Sequence, residues 1–214
     1  MKQLFPDLWQ SQIYSAGSMS TSAFLLTRPS GNILFYNTNS EEDLERIEAL
    51  GGFKYQLLTH RDEADANLER LRQRFGHQLI VPEGEANAIA KYARADRFFE
   101  RTDHKFDAVD VLQTPGHTSS CVSFSYHSEH GGHYLFCGDT LFQWNNQWAT
   151  LILQRFGGSA EAMIASLDKL APLNPDVVMS SGFVNSVAPP HLVTAEQWQS
   201  LLSTVQSRLL DERH

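Results

Sequence analysis

Cysteine, basic charge and long apolar runs are all scarce in this chain of 214 residues, and each shortage excludes a class of protein. Two cysteines cannot build the disulfide framework of a small secreted domain. Lys and Arg number 17 against 25 Asp and Glu, and the resulting net charge of −8 argues against a surface for nucleic acid or an anionic membrane. No apolar run approaches the roughly 18–20 residues of a membrane span, and the segment Met1–Asp7 lacks the apolar core of a signal peptide. We therefore expect a cytoplasmic protein without nucleic-acid or membrane partners.

The length and the composition are typical of one globular domain. The hydrophobic share is 42% and the charged share is 20%, which is not the composition of a disordered chain. A chain of this size buries roughly 70% of the surface that its unfolded form exposes, so it needs neither disulfides nor a metal merely to fold. No repeat or low-complexity linker marks a boundary. We therefore predict a single domain over residues 1–214.

Short apolar runs alternate with helical patterns along the chain. Helices are predicted after the capping residues Ser40, Ser159 and Thr194, through Leu68–Phe75, and over residues 85–92. Strands are predicted at 23–27, 32–36, 55–59, 78–81, 109–113, 121–126, 134–137 and 177–179. This order is neither a strict βαβ repeat nor an all-β chain, and it predicts an α+β fold of two sheets with helices on their outer faces.

Histidine and aspartate residues follow three of these strands. His60, Asp62 and Asp65 follow the strand at 55–59, His117 follows that at 109–113, and Asp139 follows that at 134–137. Loops at strand ends are where a rigid scaffold usually presents functional groups. Imidazole and carboxylate are the ligands of Zn²⁺, Fe²⁺ and Mn²⁺. The pattern therefore indicates a metal site.

Four segments together resemble the metallo-β-lactamase fold superfamily. They are Gly31–Thr38, Leu58-Thr59-His60-x-Asp62-x-x-Asp65, Thr114-Pro115-Gly116-His117-Thr118 and Phe136-Cys137-Gly138-Asp139-Thr140-Leu141-Phe142. The resemblance covers roughly residues 10 to 185, in the order of that family's motifs. It implies a four-layer αββα sandwich with metal at one edge. It also implies that a metal-bound water attacks an ester, amide or thioester carbonyl or a phosphoryl group.

The chain departs from the family's full motif, His-x-His-x-Asp-His. Asp62 stands where the second His would be, and His60 is the only His of the motif under either alignment of Asp65. A last His near the C-terminal strand is also missing, because Ser180-Ser181-Gly182 follows that strand and His191 lies too far on.

The surviving ligands predict at most one tightly held ion, Zn or Fe. The first metal position keeps His60, Asp62, His117 and Asp139, whereas the second keeps only Asp65 and Asp139. Two carboxylates without imidazole form a weak site for either metal. The sequence is equally compatible with Asp62 as the N-cap of the helix that follows. Asp65 is a candidate catalytic base that orients the water, or else a carboxylate in the first turn of a helix.

This ligand set favours a divergent hydrolase that acts on a small-molecule ester, thioester or amide. The alternative is a non-catalytic binding or regulatory protein whose metal site has decayed. A third hypothesis is oxygen chemistry at a mononuclear iron. The sequence is compatible with either a monomer or a homo-oligomer.

The remaining residues of note have plainer interpretations. His127, His130 and His133 are expected on an exposed hairpin tip, and His77, His104 and His214 on the surface. Cys121 and Cys137 are expected to be small buried side chains. Trp144 and Trp148 could line a substrate cleft or a subunit interface, or belong to the core.

Overall fold

A computed structural model describes residues 1–211, apart from the side chain of Ala16, and His214 lies outside the described residues. The chain divides into two compact units, Met1–Glu100 and a second that begins at Arg101. None of the helices in residues 1–211 is long and apolar enough to cross a bilayer. The single domain over residues 1–214 stays a prediction.

The first unit is built on a sheet of seven strands and a separate hairpin. The sheet, in spatial order, comprises β1 (Lys2–Phe5), β2 (Leu8–Gln10), β5 (Phe24–Leu26), β6 (Ile33–Phe35), β7 (Tyr55–Leu57), β8 (Gln78–Pro82) and β9 (Arg97–Phe99). The hairpin comprises β3 (Tyr14–Ala16) and β4 (Met19–Thr21). Pairing is antiparallel from β1 to β6 and parallel from β6 to β9. The carboxyl ends of β6 and β7 therefore open at the same edge of the sheet.

Helices connect the parallel strands of the first unit, namely α1 (Glu41–Ala49), α2 (Asn67–Phe75) and α3 (Ala86–Ile89). The Oγ of Ser40 accepts a hydrogen bond from the backbone N–H of Asp43 (3.3 Å), which confirms the predicted N-cap of α1. Gly76 ends α2 in the left-handed conformation, at φ +63°. The helix expected over 85–92 is shorter, because Glu83–Glu85 forms a 3-10 turn and only the four residues of α3 are α-helical.

The second unit holds a sheet of six strands, a group of three strands and two helices. The sheet, in spatial order, comprises β10 (His104–Phe106), β11 (Val109–Gln113), β12 (Val122–His127), β13 (His133–Gly138), β16 (Val177–Ser180) and β18 (His191–Leu192). The group comprises β15 (Gln147–Ala149), β14 (Phe142–Trp144) and β17 (Gly182–Val184). The helices are α4 (Ala160–Leu170) and α5 (Ala195–Asp211). Within the six-stranded sheet only β13 and β16 pair in parallel, so their carboxyl ends lie side by side.

The core of the second unit lies where α4 and α5 pack against β13 and β16. Its buried side chains include Leu135, Met163, Leu167, Val178 and Trp198. The capping box predicted for α5 is confirmed, because the Thr194 hydroxyl accepts from the Gln197 N–H (3.2 Å) and the Gln197 amide oxygen accepts from the Thr194 N–H (2.9 Å).

Two histidines expected at the surface are buried. His133 points inward from β13, where its Nε2 lies 2.7 Å from the Ser125 hydroxyl. His77 packs against the ring of Phe53 at a centroid distance of 4.4 Å. Burial, followed by the nearby charge of Arg72, lowers the pKa of His77 to about 4. Both predictions were wrong, because neither histidine lies in a sequence pattern from which burial can be predicted. Cys121 and Cys137 are buried free thiols, as expected.

Candidate metal centre

His60 lies at the carboxyl end of β7, in extended backbone just before a 3-10 turn over Arg61–Glu63. Its ring is buried, and its Nδ1 lies 2.9 Å from the Thr59 hydroxyl and 3.2 Å from a carboxylate oxygen of Glu63. The Thr59 hydroxyl donates its own proton to Glu63. Thr59 therefore accepts from His60, so the proton of the neutral ring lies on Nδ1 and the lone pair lies on Nε2. This is the tautomer that an outer carboxylate imposes on a histidine that binds metal through Nε2.

Asp62 lies inside the 3-10 turn and is exposed. One of its carboxylate oxygens lies within 4.8 Å of a ring nitrogen of His60. Asp62 does not cap α2, which begins at Asn67. The neighbouring Arg61 forms an ion pair with the buried Glu85, which anchors the turn to the segment after β8. Asp62 as a metal ligand stays a prediction.

Asp65 precedes α2, and its carboxylate is held by amide donors on two sides. One oxygen accepts from the Asn37 side chain (2.7 Å) and from the Asn67 backbone N–H (2.8 Å), and the other accepts from the Asn67 side chain (3.1 Å). The hydroxyl of Tyr14 donates to the backbone carbonyl of Asn37 (3.2 Å). Burial, followed by the charges of Asp65 and Glu63, raises the pKa of Tyr14 above its ordinary value. Asp65 thus supports the start of α2, and its role as base or ligand stays a prediction.

His117 lies in the loop between β11 and β12 of the second unit and is fully buried. Its Nδ1 lies 2.8 Å from the backbone carbonyl of Leu151. A carbonyl can only accept, so Nδ1 carries the proton and Nε2 again keeps the lone pair. The backbone N–H of Leu153 donates to the His117 carbonyl (2.9 Å), so one segment holds both the ring and the backbone of this residue.

Two glycines allow the His117 loop to lie close to the start of α4. A Cβ at Gly116 would lie 2.6 Å from the Cα of Met163. A Cβ at Gly158 would lie 2.3 Å from the His117 carbonyl oxygen and 2.5 Å from that of Gly116. Both distances are far below van der Waals contact, so only glycine fits at these positions. The Gly-His pair of the sequence motif therefore has a packing reason as well as a chemical one.

Asp139 follows β13, next to the carboxyl end of β16. The Ser181 hydroxyl donates to its Oδ1 (2.8 Å), and its Oδ2 lies 4.0 Å from Nε2 of His117. Ligand atoms that each lie roughly 2.0–2.2 Å from one ion can be no more than about 4.4 Å apart. The separation of these two atoms therefore fits a shared metal ion. A buried imidazole and a buried carboxylate form a donor set suited to Zn²⁺ or Fe²⁺.

Glu63, the Leu151 carbonyl and Ser181 orient the predicted ligands and were not expected from the sequence. Glu63 lies three residues after His60, a spacing that could have signalled the contact. Ser181 follows β16 directly, so its strand-end position was a weaker signal. Nothing local points to Leu151, because its carbonyl reaches His117 only through the path of the chain after β15.

The family model of the metallo-beta-lactamase superfamily matches residues 53–182, which include His60, His117 and Asp139. The chain belongs to the metallo-beta-lactamase superfamily. It is 31% identical over 174 residues to the hydroxyacylglutathione hydrolase of Rhizobium meliloti, covering 79% of this chain and 64% of that protein. It is 33% identical to the enzyme of that name from Acidiphilium cryptum, covering 65% of this chain and 54% of that protein. This superfamily member thus spans between about half and two thirds of the length of the curated relatives it matches.

Solved structures confirm the predicted α+β fold of the metallo-β-lactamase type. A metallo-beta-lactamase from Pontibacter korlensis superposes with a TM-score of 0.68 at 17% identity, covering 98% of both chains. A class B3 di-zinc metallo-beta-lactamase from an Alaskan soil metagenome superposes with a TM-score of 0.65 at 17% identity, covering 94% of this chain and 93% of that one. At this level of identity the likeness shows the fold alone.

Proposed function

We propose that this superfamily member is a metal-dependent hydrolase of small-molecule esters, thioesters or amides. One observation carries the proposal. His60 and His117 each have Nδ1 held by an oxygen acceptor, and in each ring the Nε2 that keeps the lone pair is buried. A merely structural histidine needs no such shared tautomer. Ligand histidines regularly show it, because the outer hydrogen bond fixes the ring and raises its basicity.

We propose that His60, Asp62, His117 and Asp139 hold one divalent ion, Zn or Fe. The contact between Ser181 and Asp139 supports a single ion, because it engages the oxygen that would otherwise turn toward a second metal. The contacts of Asp65 support the same count, since Asn37 and Asn67 already engage both of its oxygens.

In this proposal the protein groups act by orientation and by proton transfer. The ion, when bound, would polarise the scissile carbonyl and lower the pKa of a coordinated water. Glu63 and the Leu151 carbonyl keep the two imidazoles in the tautomer that binds metal, and Ser181 fixes the rotation of the Asp139 carboxylate. Asp65 is the proposed base. Its two asparagine donors hold it in a fixed position.

A thioester is the first substrate class to test. The two relatives described above are named for hydroxyacylglutathione, an acyl thioester of glutathione. The acidic composition supports a small-molecule substrate rather than nucleic acid or a membrane surface. Size-exclusion chromatography with light scattering would measure whether the protein forms a homo-oligomer.

Element analysis of protein purified without chelators or a His-tag tests this proposal, together with hydrolysis of a panel of thioesters, esters and amides. We expect no more than one equivalent of Zn or Fe. In H117A we expect loss of the ion and a fall in hydrolysis of at least about 100-fold, the upper end of what loss of an outer-shell partner alone costs. H130A, which changes an exposed histidine of the same unit, is the matched control.

Two results would contradict the proposal. Near two equivalents of metal would refute the ligand count, and H117A with unchanged metal content and activity would refute the site. A folded protein that takes up neither Zn nor Fe would favour the non-catalytic alternative.

A further inference from the structure

A cavity of about 460 Å³ lies in the second unit, between the residues of β15 and the C-terminal part of α5. Its walls come from Trp144, residues 147–152, Val205, Arg208 and Leu209. A volume of a few hundred Å³ is the size of a pocket for one small organic molecule. None of the residues proposed above as metal ligands lines it.

Two tryptophan side chains and two aliphatic side chains make this cavity suited to a flat apolar group. Trp144 is 44% exposed, and Trp148 is half-buried with its ring held edge-on by His191 at a centroid distance of 4.9 Å. Val205 and Leu209, both buried side chains of α5, add apolar surface to the lining of the cavity. Tryptophan faces bind aromatic groups by stacking, beyond what the buried area alone contributes.

Arg208 gives the cavity a single charge. Its Nη1 donates to the backbone carbonyl of Trp148 (3.1 Å), which anchors the guanidinium in the wall of the cavity. Among residues 1–211, no Asp or Glu lines the cavity and no carboxylate forms an ion pair with Arg208. In a chain of net charge −8, an arginine that no carboxylate of residues 1–211 pairs with, in a cavity lined by two tryptophans, is suited to an incoming anion.

We infer that this cavity binds a small aromatic carboxylate, with its ring against Trp144 and Trp148 and its carboxylate on Arg208. The inference goes beyond the proposed hydrolase and does not depend on it. The cavity is nevertheless connected to His117, because Leu151 lines it and the Leu151 carbonyl holds the His117 ring. A molecule bound in this cavity would therefore share its walls with the segment that orients this histidine.

Titration of the metal-free chain with 3-phenylpropionate, followed by tryptophan fluorescence, tests the inference. Trp9 and Trp198 are buried elsewhere, so a signal change reports mainly on Trp144 and Trp148. We expect saturable binding that weakens about tenfold or more in R208Q, since a charge-assisted hydrogen bond contributes about that factor. The neutral 3-phenylpropanamide should bind weaker by a similar factor, and W144F should lose much of the signal.

Two variants serve as controls for charge and for folding. R208K keeps a cation and should bind within a few-fold of the parent chain. R155Q removes an exposed arginine of the same unit that lies over Phe156, outside the cavity, and should bind like the parent chain. The inference is overturned if the acid and the amide bind equally, if R208Q binds as tightly as the parent, or if no saturable change occurs at millimolar probe. Because no metal is present in the assay, failure of the hydrolase proposal would leave this result unaffected.

Discussion

At the scale of single residues, the groups that orient the predicted ligands matter as much as the ligands. Glu63 accepts from Thr59 through both the backbone N–H (2.8 Å) and the hydroxyl, and the same carboxylate lies 3.2 Å from Nδ1 of His60. One side chain therefore sets the conformation of the turn and the tautomer of the ring. Asp139 depends on Ser181 in a comparable way.

Glu63→Gln tests this dependence directly. The substitution keeps the shape of the side chain but removes the negative charge that faces Thr59 and His60. The side-chain NH₂ of the glutamine must then take the place of one carboxylate oxygen and face an N–H or O–H donor, with which it cannot form a hydrogen bond. We expect metal affinity to fall by about 10-fold to 100-fold, the usual cost of losing an outer-shell partner. Competition with a chromophoric chelator measures it.

The matched control is Glu45→Gln, an exposed carboxylate on α1 that should leave metal affinity unchanged. Equal affinity of E63Q and the parent chain would mean that Glu63 only shapes the turn.

At the scale of elements, the loop that carries His117 depends on the absence of a side chain at Gly158. The backbone of Gly158 has no left-handed strain, so the cost of Gly158→Ala comes from the collision of its Cβ with the His117 and Gly116 carbonyl oxygens. Forcing a methyl group into close packing costs about 1–3 kcal/mol. We expect G158A to lower the free energy of unfolding by that amount and to lower metal affinity about tenfold, because His117 must move.

Gly131→Ala is the control for this prediction. Gly131 adopts φ +85° and has open space around its Cβ position, so its substitution costs about 1–2 kcal/mol of backbone strain. The two variants are thus similar in stability, and only G158A should change metal binding. Equal metal affinity in both variants would show that the loop shifts without moving the ring.

Elements with strong local signals were predicted well, and short ones were not. The strand over 109–113 coincides with β11, and the caps at Ser40, Ser159 and Thr194 are all confirmed by their hydrogen bonds. The hairpins β1–β2, β3–β4 and β14–β15 were not predicted. Strands of three or four residues contain too few alternations for a periodic signal, so their pairing depends on neighbours distant in sequence.

At the scale of the whole molecule, the size of the chain makes the metal optional for folding. Each unit has its own buried apolar cluster, around Leu68 and Leu79 in the first and around Met163 and Trp198 in the second. Neither cluster includes a predicted metal ligand. The energy that holds the fold therefore comes mainly from apolar burial.

Metal removal tests this independence. After dialysis against EDTA we expect an unchanged far-UV circular dichroism spectrum and a cooperative thermal transition, together with loss of hydrolysis. Restoring the ion should raise the midpoint of unfolding, because a ligand that binds only the folded state stabilises it by mass action. In H117A the ion should produce no such shift, and unfolding of the parent chain by EDTA would contradict the prediction.

The sequence by itself determined the family, the order of the motifs and the identity of the candidate ligands, because these depend on residue types that lie close together in the chain. His60, Asp62, His117 and Asp139 could be named in this way, and so could the missing imidazoles. Only the tertiary structure decided what holds His117 and Asp139 in place. The Leu151 carbonyl lies 34 residues from His117, and Ser181 lies 42 residues from Asp139. Local patterns extend over a few residues, whereas these contacts arise from how β13, β16 and the segment after β15 come to lie beside one another.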